Sequence, residues 1–396
     1  MKTYIRILAA AFLLLASFYE MRAKAPEKND VRFAYDVDFN MNFDNREYYR
    51  SNYSTSMTIF GARLTPSVGL DVRQKDGLSH KVMVGIDIMK DFGASPVSPE
   101  IAGTDSPETS SSLSNTKLLR EMTLYYRLHK QGGKNEMMLY AGIFPRSAME
   151  GSYSEAFFSD SLKFYDNNLE GILMKLRRPK AYFELGCDWM GQYGESRREK
   201  FMIFSSGEGK VAPILSLGYS VYMYHFASCN DVRGVVDNIL ANPYARFDFG
   251  HLLGLQTFSM RFGWLQGMQN DRKNVGTYVY PCGGEFDIEV RKWNLALKNS
   301  LFYGMDMMTY YNNVDSGGYK YGSRLYFGDP FYRVHDEGET GPGIYDRIEL
   351  CYEPKIGRFL NIRIAARFHF NDFTYSSCQQ VVALRFNLQE LVNRRK

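Results

Sequence analysis

His369, Asp372 and Ser376 lie within one short stretch of the chain, and they are the residue types of a base, an orienting carboxylate and a nucleophile. A working triad holds each group on its own scaffold, whereas one tight loop that contains all three is also what Asp and Ser build in ordinary turns. The spacing therefore does not predict a hydrolase, and the chain reads as a non-enzyme. The six histidines, at 80, 129, 225, 251, 335 and 369, include no close ligand pair. Asp336, Glu337 and Glu339 offer oxygens of the kind Ca²⁺ takes, but a solvated acidic loop has the same composition. No metal and no cofactor is expected. The five cysteines follow no metal or redox spacing, and their odd number leaves at least one unpaired within a monomer.

Charged rows are the more extensive chemistry. Asp36, Asp38, Arg63, Asp71, Arg127, Arg347, Arg363, Arg367 and Arg385 stand at alternate positions, each opposite an apolar row. Such a row is costly in a dry interior unless its charges are paired, and cheap in a water-filled passage. It can set up a field along a channel, or it can knit neighbouring strands together with salt bridges. The segment 145–167 adds Arg146, Glu150, Asp160 and Lys163, which suit a constriction folded into a channel or an external cap. The aromatic-rich stretch with Tyr310, Tyr311, Tyr319, Tyr321, Tyr326, Phe327, Phe331 and Tyr332 suits sugar stacking or packing on a barrel rim.

The elements that carry these residues are strands. Leu360, Ile362, Ile364, Ala366, Phe368 and Phe370 alternate with Asn361, Arg363, Arg367 and His369. Val382, Leu384, Phe386 and Leu388 repeat the pattern, and Phe33, Tyr35, Val37, Phe39, Met41 and Phe43 open the chain with it. A period of two is the strand signal. Similar segments recur throughout, giving about 16 strands with a tolerance of 14 to 18. Short joins such as Lys75-Asp76-Gly77 and Gln131-Gly132-Gly133 alternate with long polar stretches such as 92–117 and 312–342. Short turns at one end and long loops at the other are the pattern of an outer-membrane barrel, in which lipid leaves no sheet edge unpaired. The fold expected is an all-β transmembrane antiparallel β-barrel.

Addressing and composition agree with this. Lys2 and Arg6 precede an apolar run from Ile7 to Phe18, with small residues Ala23 and Ala25 beyond it. That reads as a signal peptide over 1–23, followed by a single barrel domain over 24–396. Beyond it no run is long and apolar enough for a transmembrane helix. A load of 29 Tyr and 28 Phe suits aromatic girdles at two lipid interfaces. A net charge of +4 makes no case for nucleic acid. The expected location is the bacterial outer membrane with both termini periplasmic, in contact with outer-membrane lipid and lipopolysaccharide.

Ala141-Gly142-Ile143-Phe144-Pro145-Arg146 ends one strand before a loop. Glu170-Gly171-Ile172-Leu173-Met174-Lys175 and Tyr182-Phe183-Glu184-Leu185-Gly186 then form a hairpin. This arrangement resembles the outer-membrane barrels of Bacteroidetes-type bacteria and, distantly, the phosphate-selective-type porins. The resemblance implies a passive channel for ions or small hydrophilic solutes, usually a homotrimer. The competing readings are a non-conducting adhesion, assembly or scaffold barrel and, behind it, an outer-membrane hydrolase. The lysine supply of a phosphate channel is missing from the charged rows.

Overall fold

The computed structural model describes residues 30–51, 54–92, 119–195, 197–229, 234–314, 318, 320–335 and 341–389. The expected signal peptide and the acidic trio Asp336, Glu337 and Glu339 lie outside them. One antiparallel sheet contains every strand: β1 (Asp30–Glu47), β2 (Met57–Arg73), β3 (Leu78–Asp91), β4 (Leu119–Gly132), β5 (Asn135–Pro145), β6 (Asn168–Arg178), β7 (Ala181–Gly191), β8 (Lys200–Lys210), β9 (Leu215–Phe226), β10 (Val236–Asp248), β11 (Thr257–Asp271), β12 (Cys282–Lys292), β13 (Leu295–Gly304), β14 (Gly343–Tyr352), β15 (Lys355–Ile356), β16 (Leu360–Asn371) and β17 (Thr374–Asn387). β15 is a two-residue arm of the β14–β16 hairpin. The other sixteen close into a barrel when β17 pairs with β1, from Asp38 opposite Asn387 to Glu47 opposite Cys378. Closure leaves no edge to desolvate, which is what a lipid environment demands. The expected fold class and strand number hold.

Boundaries differ where local chemistry misleads. Residues 228–242 read as a loop because Asn238 and Asn242 interrupt the apolar pattern, yet β10 starts at Val236. Both side chains are buried inside the barrel, where Asn238 donates to the Leu325 carbonyl at 2.8 Å and Asn242 accepts from Arg261. Two hairpins also turn on residues that give no ordinary turn signal. Trp293 and Asn294 have φ of 51° and 67°, and Asp372 and Phe373 have 47° and 59°. Both are two-residue turns with two left-handed positions, a geometry usually filled by Asn-Gly or Asp-Gly. The second turn replaces an expected longer gap before the last strand, so Ser376 and Cys378 are strand residues and not loop residues. None of the five cysteines is in a disulfide.

Much of the barrel's interior is filled. The β5–β6 connection carries the short helix Asp160–Tyr165 inward, and the β13–β14 connection follows it with two 3₁₀ turns, Gly322–Leu325 and Pro330–Arg333. Ser159 caps the first helix by accepting from the Leu162 N–H at 3.2 Å. The two connections are joined by backbone hydrogen bonds, Ser159 N to Phe327 O at 2.9 Å and Asp329 N to Glu155 O at 2.8 Å. Gly328 permits that approach, since a Cβ there would lie 2.1 Å from the Ala156 carbonyl oxygen. Phe157, Leu162, Leu325, Phe327 and Phe331 are fully buried against Phe144, Met202, Phe204, Tyr222, Tyr224 and Tyr345 from the wall. Apart from Tyr319, which lies outside the described residues, the aromatic stretch thus packs into the core of the interior. Its polar groups are satisfied by the wall: Tyr153 and Tyr332 donate to Glu184 and Glu285 at 2.7 Å each, and Gln269 donates to the Met307 carbonyl at 2.8 Å.

Two carboxyls on these inner connections titrate in opposite senses. Burial pushes Asp306 up to about 6, against the opposing effects of the Met308 N–H and Arg333. Asp160 is also desolvated, but Arg367, Lys163 and Arg363 hold it well below the usual range. A raised folded-state pKa contributes stability at low pH that is lost as pH rises through about 6; a depressed one contributes stability that is lost only as pH falls below the unfolded carboxyl range. Raising the pH from 5 to 7.5 should therefore lower the thermal midpoint of the wild-type barrel, and Asp306→Asn should reduce that change. An equal pH response in the variant would refute the assignment to Asp306.

Candidate active site

The charged positions singled out from the sequence face the barrel interior, and nearly all form ion pairs or hydrogen bonds there. Asp38 meets Arg385 at 3.1 Å across the closure seam, and Asp36 accepts from Asn387 at 2.9 Å. Arg63 pairs with Asp87 at 3.0 Å and reaches the Tyr165 carbonyl at 2.9 Å. Asp71 accepts from Ser79 at 2.6 Å, whereas the Nε of Arg127 is buried without a hydrogen bond. Arg363 contacts Glu349 at 2.7 Å and Glu353 at 3.3 Å, while Arg367 bridges Glu349 and Asp160, the latter at 2.5 Å. Arg347 meets Glu155. From the inward segment, Arg146 binds Asp166 at 2.6 Å and Asp188 at 3.3 Å, Glu150 binds Lys175 at 2.8 Å, and Lys163 pairs with Asp160 at 3.4 Å. The network fastens the inner connections to the wall.

His369, Asp372 and Ser376 are not assembled into a triad. The imidazole of His369 is buried against Phe331, with ring centroids 4.3 Å apart and planes 10° apart, and its Nδ1 lies 3.1 Å from the Tyr345 hydroxyl. The Asp372 carboxylate instead accepts from the Ile344 N–H at 3.1 Å. The Ser376 hydroxyl is buried with no hydrogen-bond partner, so it is not activated by a base.

A different histidine faces the other way. Tyr222, Tyr224 and Phe226 of β9 pack inward on Phe157, Phe327 and Tyr321. Strand alternation therefore turns Met223 and His225 outward. His225 is the penultimate residue of β9, at the end of the barrel opposite the chain termini. It belongs to a row of directly opposed residues across five strands: Trp189 on β7, Phe201 on β8, His225 on β9, Asp237 on β10 and Asn270 on β11. Cross-strand opposition brings such side chains into contact. Trp189 and Phe201 stack with centroids 5.4 Å apart and planes at 10°, and Phe201 lies 5.0 Å from the His225 ring.

The polar end of the row is organised around one carboxylate. His225 Nδ1 lies 3.5 Å from Asp237 Oδ1. Arg272 grips the same carboxylate with two donors, Nε to Oδ2 at 2.7 Å and a terminal nitrogen to Oδ1 at 3.0 Å, and the Tyr278 hydroxyl donates at 3.2 Å. The bond to Asp237 raises the Arg272 pKa further above its ordinary value. Burial, reinforced by Asp237, raises that of Tyr278, so both remain donors. A carboxylate facing Nδ1 favours the proton on that nitrogen and leaves Nε2 as the base. The 3.5 Å separation is longer than a tight hydrogen bond, as such pairs often are before substrate arrives. Asn270 completes the row with an Oδ1 that is buried and unpartnered.

Sequence reasoning missed this group because Asp237 was assigned to a loop, which removed the partner of His225. The available signal was a histidine closing the outward apolar row Leu217, Tyr219, Val221 and Met223.

A closed sixteen-stave barrel with an outward aromatic and polar rim defines a transmembrane β-barrel of the outer-membrane type. A family model described as Lipid A 3'-O-deacylase-type matches residues 25–228. That is just over half of the chain, and the chain belongs to this family. No curated protein matches the sequence. Among solved structures, the loop-L8 deletion mutant of OmpT, an outer membrane protein of Vibrio cholerae, is 10% identical with a TM-score of 0.51, covering 90% of this chain and 99% of that one. A triple mutant of the Rhodopseudomonas blastica porin is 8% identical, covering 90% and 100%, with a TM-score of 0.43. Pseudomonas aeruginosa OpdK with vanillate is 9% identical, covering 91% and 98%, with a TM-score of 0.40. The likeness to OmpT shows the fold alone, and the two looser superpositions carry no argument.

The family match overturns two expectations. The chain belongs to a deacylase-type family and not specifically to the phosphate-selective porins, so the passive-channel reading does not stand. The expectation of a non-enzyme falls with it.

Proposed function

We propose that the protein is an outer-membrane acyl-ester hydrolase acting on an O-linked acyl chain of a lipid A-type glycolipid, with His225 and Asp237 at its active site. The observation that carries this reading is the family match over 25–228, a range that contains His225. The geometry supports it from the outer wall. A lipid substrate lies alongside a barrel, and the His225 row is on that side, at the end bearing the long connections. Periplasmic termini would put this end at the outer leaflet, where lipopolysaccharide is the available lipid.

Most members of the row then have a task. Trp189, which is 41% exposed, and Phe201 offer an apolar platform for acyl chain or sugar. Arg272, whose side chain is 54% exposed, presents positive charge to an anionic headgroup. His225 Nε2 takes a proton from water as the water oxygen bonds to the ester carbonyl carbon. The carbon–oxygen bond to the sugar then breaks, and His225 returns the proton to the leaving sugar oxygen. The products are a fatty acid and a glycolipid with a free hydroxyl. Asp237 orients the imidazole and stabilises its cationic form. This reading needs the wall from β7 to β12 open to lipid, so any homotrimer would have to pack through other strands.

The test is incubation of the purified barrel with lipid A in mixed micelles, followed by mass spectrometry of lipid and free fatty acid. Loss of one ester-linked acyl chain is expected. Unchanged lipid A with no fatty acid released would overturn the proposal.

A further inference from the structure

A second site lies inside the barrel, away from the outer row. Between the helix Asp160–Tyr165 and the wall of β16, β17, β1 and β2 is a cavity of about 330 Å³. Residues of β1, β16 and β17 near the chain termini, Asp38, Asn361 and Arg385, form one side of it, so it faces the terminal end of the barrel. Its volume is at the small end of the range for small-molecule sites.

The charge state of the lining is decisive. It contains five cations, Arg63, Lys163, Arg363, Arg367 and Arg385. Each already holds a carboxylate: Asp87, Asp160, Glu349, Asp160 with Glu349, and Asp38, respectively. The remaining lining carboxylate, Asp44, is held by Arg46 at 2.7 Å. A charged ligand would have to displace one of these pairs. The uncommitted capacity belongs to neutral groups. Asn40 and Asn42 on β1, Asn167 on the inward connection and Asn361 on β16 line the cavity, and their side-chain amides have no hydrogen-bond partner among the described residues. Ser147 adds a hydroxyl, and Phe164 adds an aromatic ring.

Carboxamides donate and accept with equal facility, which matches vicinal hydroxyls, and a ring among them suits the apolar face of a pyranose. We infer that this cavity binds a neutral saccharide of hexose or hexosamine size, entering from the terminal end of the barrel. Asn40, Asn42 and Asn361 hydrogen-bond its hydroxyls, and the paired charges around them exclude acidic sugars by leaving no free counterion.

Saturation-transfer NMR and calorimetry on the full-length protein in a detergent without sugar headgroups test this, with glucose, N-acetylglucosamine, glucuronate and inorganic phosphate as probes. Saturable binding of a neutral sugar is expected, with glucuronate and phosphate at least tenfold weaker. Asn40→Ala and Asn361→Ala should each weaken the neutral sugar about tenfold, with the barrel's heat-modifiable migration unchanged. The variant Asn42→Asp, nearly isosteric but charged, supplies a second measure if an alanine variant fails to fold, and should also weaken binding. Failure of both neutral sugars to saturate, tighter binding of glucuronate or phosphate, or binding indifferent to all three substitutions would overturn the assignment.

Discussion

Replacing His225 with alanine should lower acyl release from lipid A by about 10²- to 10⁴-fold, the usual contribution of a positioned general base, while leaving the barrel folded. The corresponding barrier increase is about 3–5 kcal/mol. Folding should survive because the side chain is on the outward face, with 25% of its surface exposed, and its neighbours Phe201 and Asp237 keep their other partners. Asp237→Asn should act in the same direction by removing the charge that stabilises the imidazolium. It should also release Arg272, so its effect divides between turnover and lipid affinity. Hydrolysis by wild type that persists undiminished in His225→Ala would remove the site while leaving the family-level function in place. Heat-modifiable migration of each variant separates lost chemistry from lost fold.

The largest stability effect should come from Arg367→Ala. Arg367 is 3% exposed and bridges Glu349, on the adjacent wall strand β14, to Asp160 on the inner helix. Removing it leaves two carboxylates near each other with one of their main counter-charges gone. Breaking a buried pair in this way costs about 3–5 kcal/mol, much more than the pair itself is worth relative to an apolar replacement. Urea unfolding followed by tryptophan fluorescence should report a loss of that order. Adding Glu349→Gln and Asp160→Asn to the alanine variant should recover part of it, because the two carboxylates that lost Arg367 are then uncharged, Arg363 keeps Glu353, and Lys298, which loses Glu349, is partly exposed. A midpoint unchanged in Arg367→Ala would show that the network contributes nothing to holding the inner connections in place.

The barrel was legible because its cause is local. A strand with one face to lipid and one to a polar interior must alternate, so β1, β16 and β17 are recognisable from their rows alone. The same logic failed at β10. There, Asn238 and Asn242 face an interior built by distant chain, and the partners that make buried carboxamides tolerable are not visible in the segment itself. The turn at Asp372-Phe373 failed for a related reason, since the closing strands impose left-handed backbone on residues that do not ask for it, whereas the short join expected at Lys292 lies beside the observed turn at Trp293-Asn294.

The candidate site divides along the same line. Sequence alone determined that charged residues would line one face and apolar residues the other, and the pairing of Asp38 with Arg385 follows once the first and last strands are required to meet. It did not determine whether the interior was water or protein. That depended on Ser159 meeting Phe327 and on Glu155 meeting Asp329, contacts between connections far apart in the chain, and on Glu155 meeting Arg347 of the wall. Nor did it determine that His225 meets Asp237. Their opposition is a matter of register between β9 and β10, fixed only when every strand of the barrel has its two neighbours.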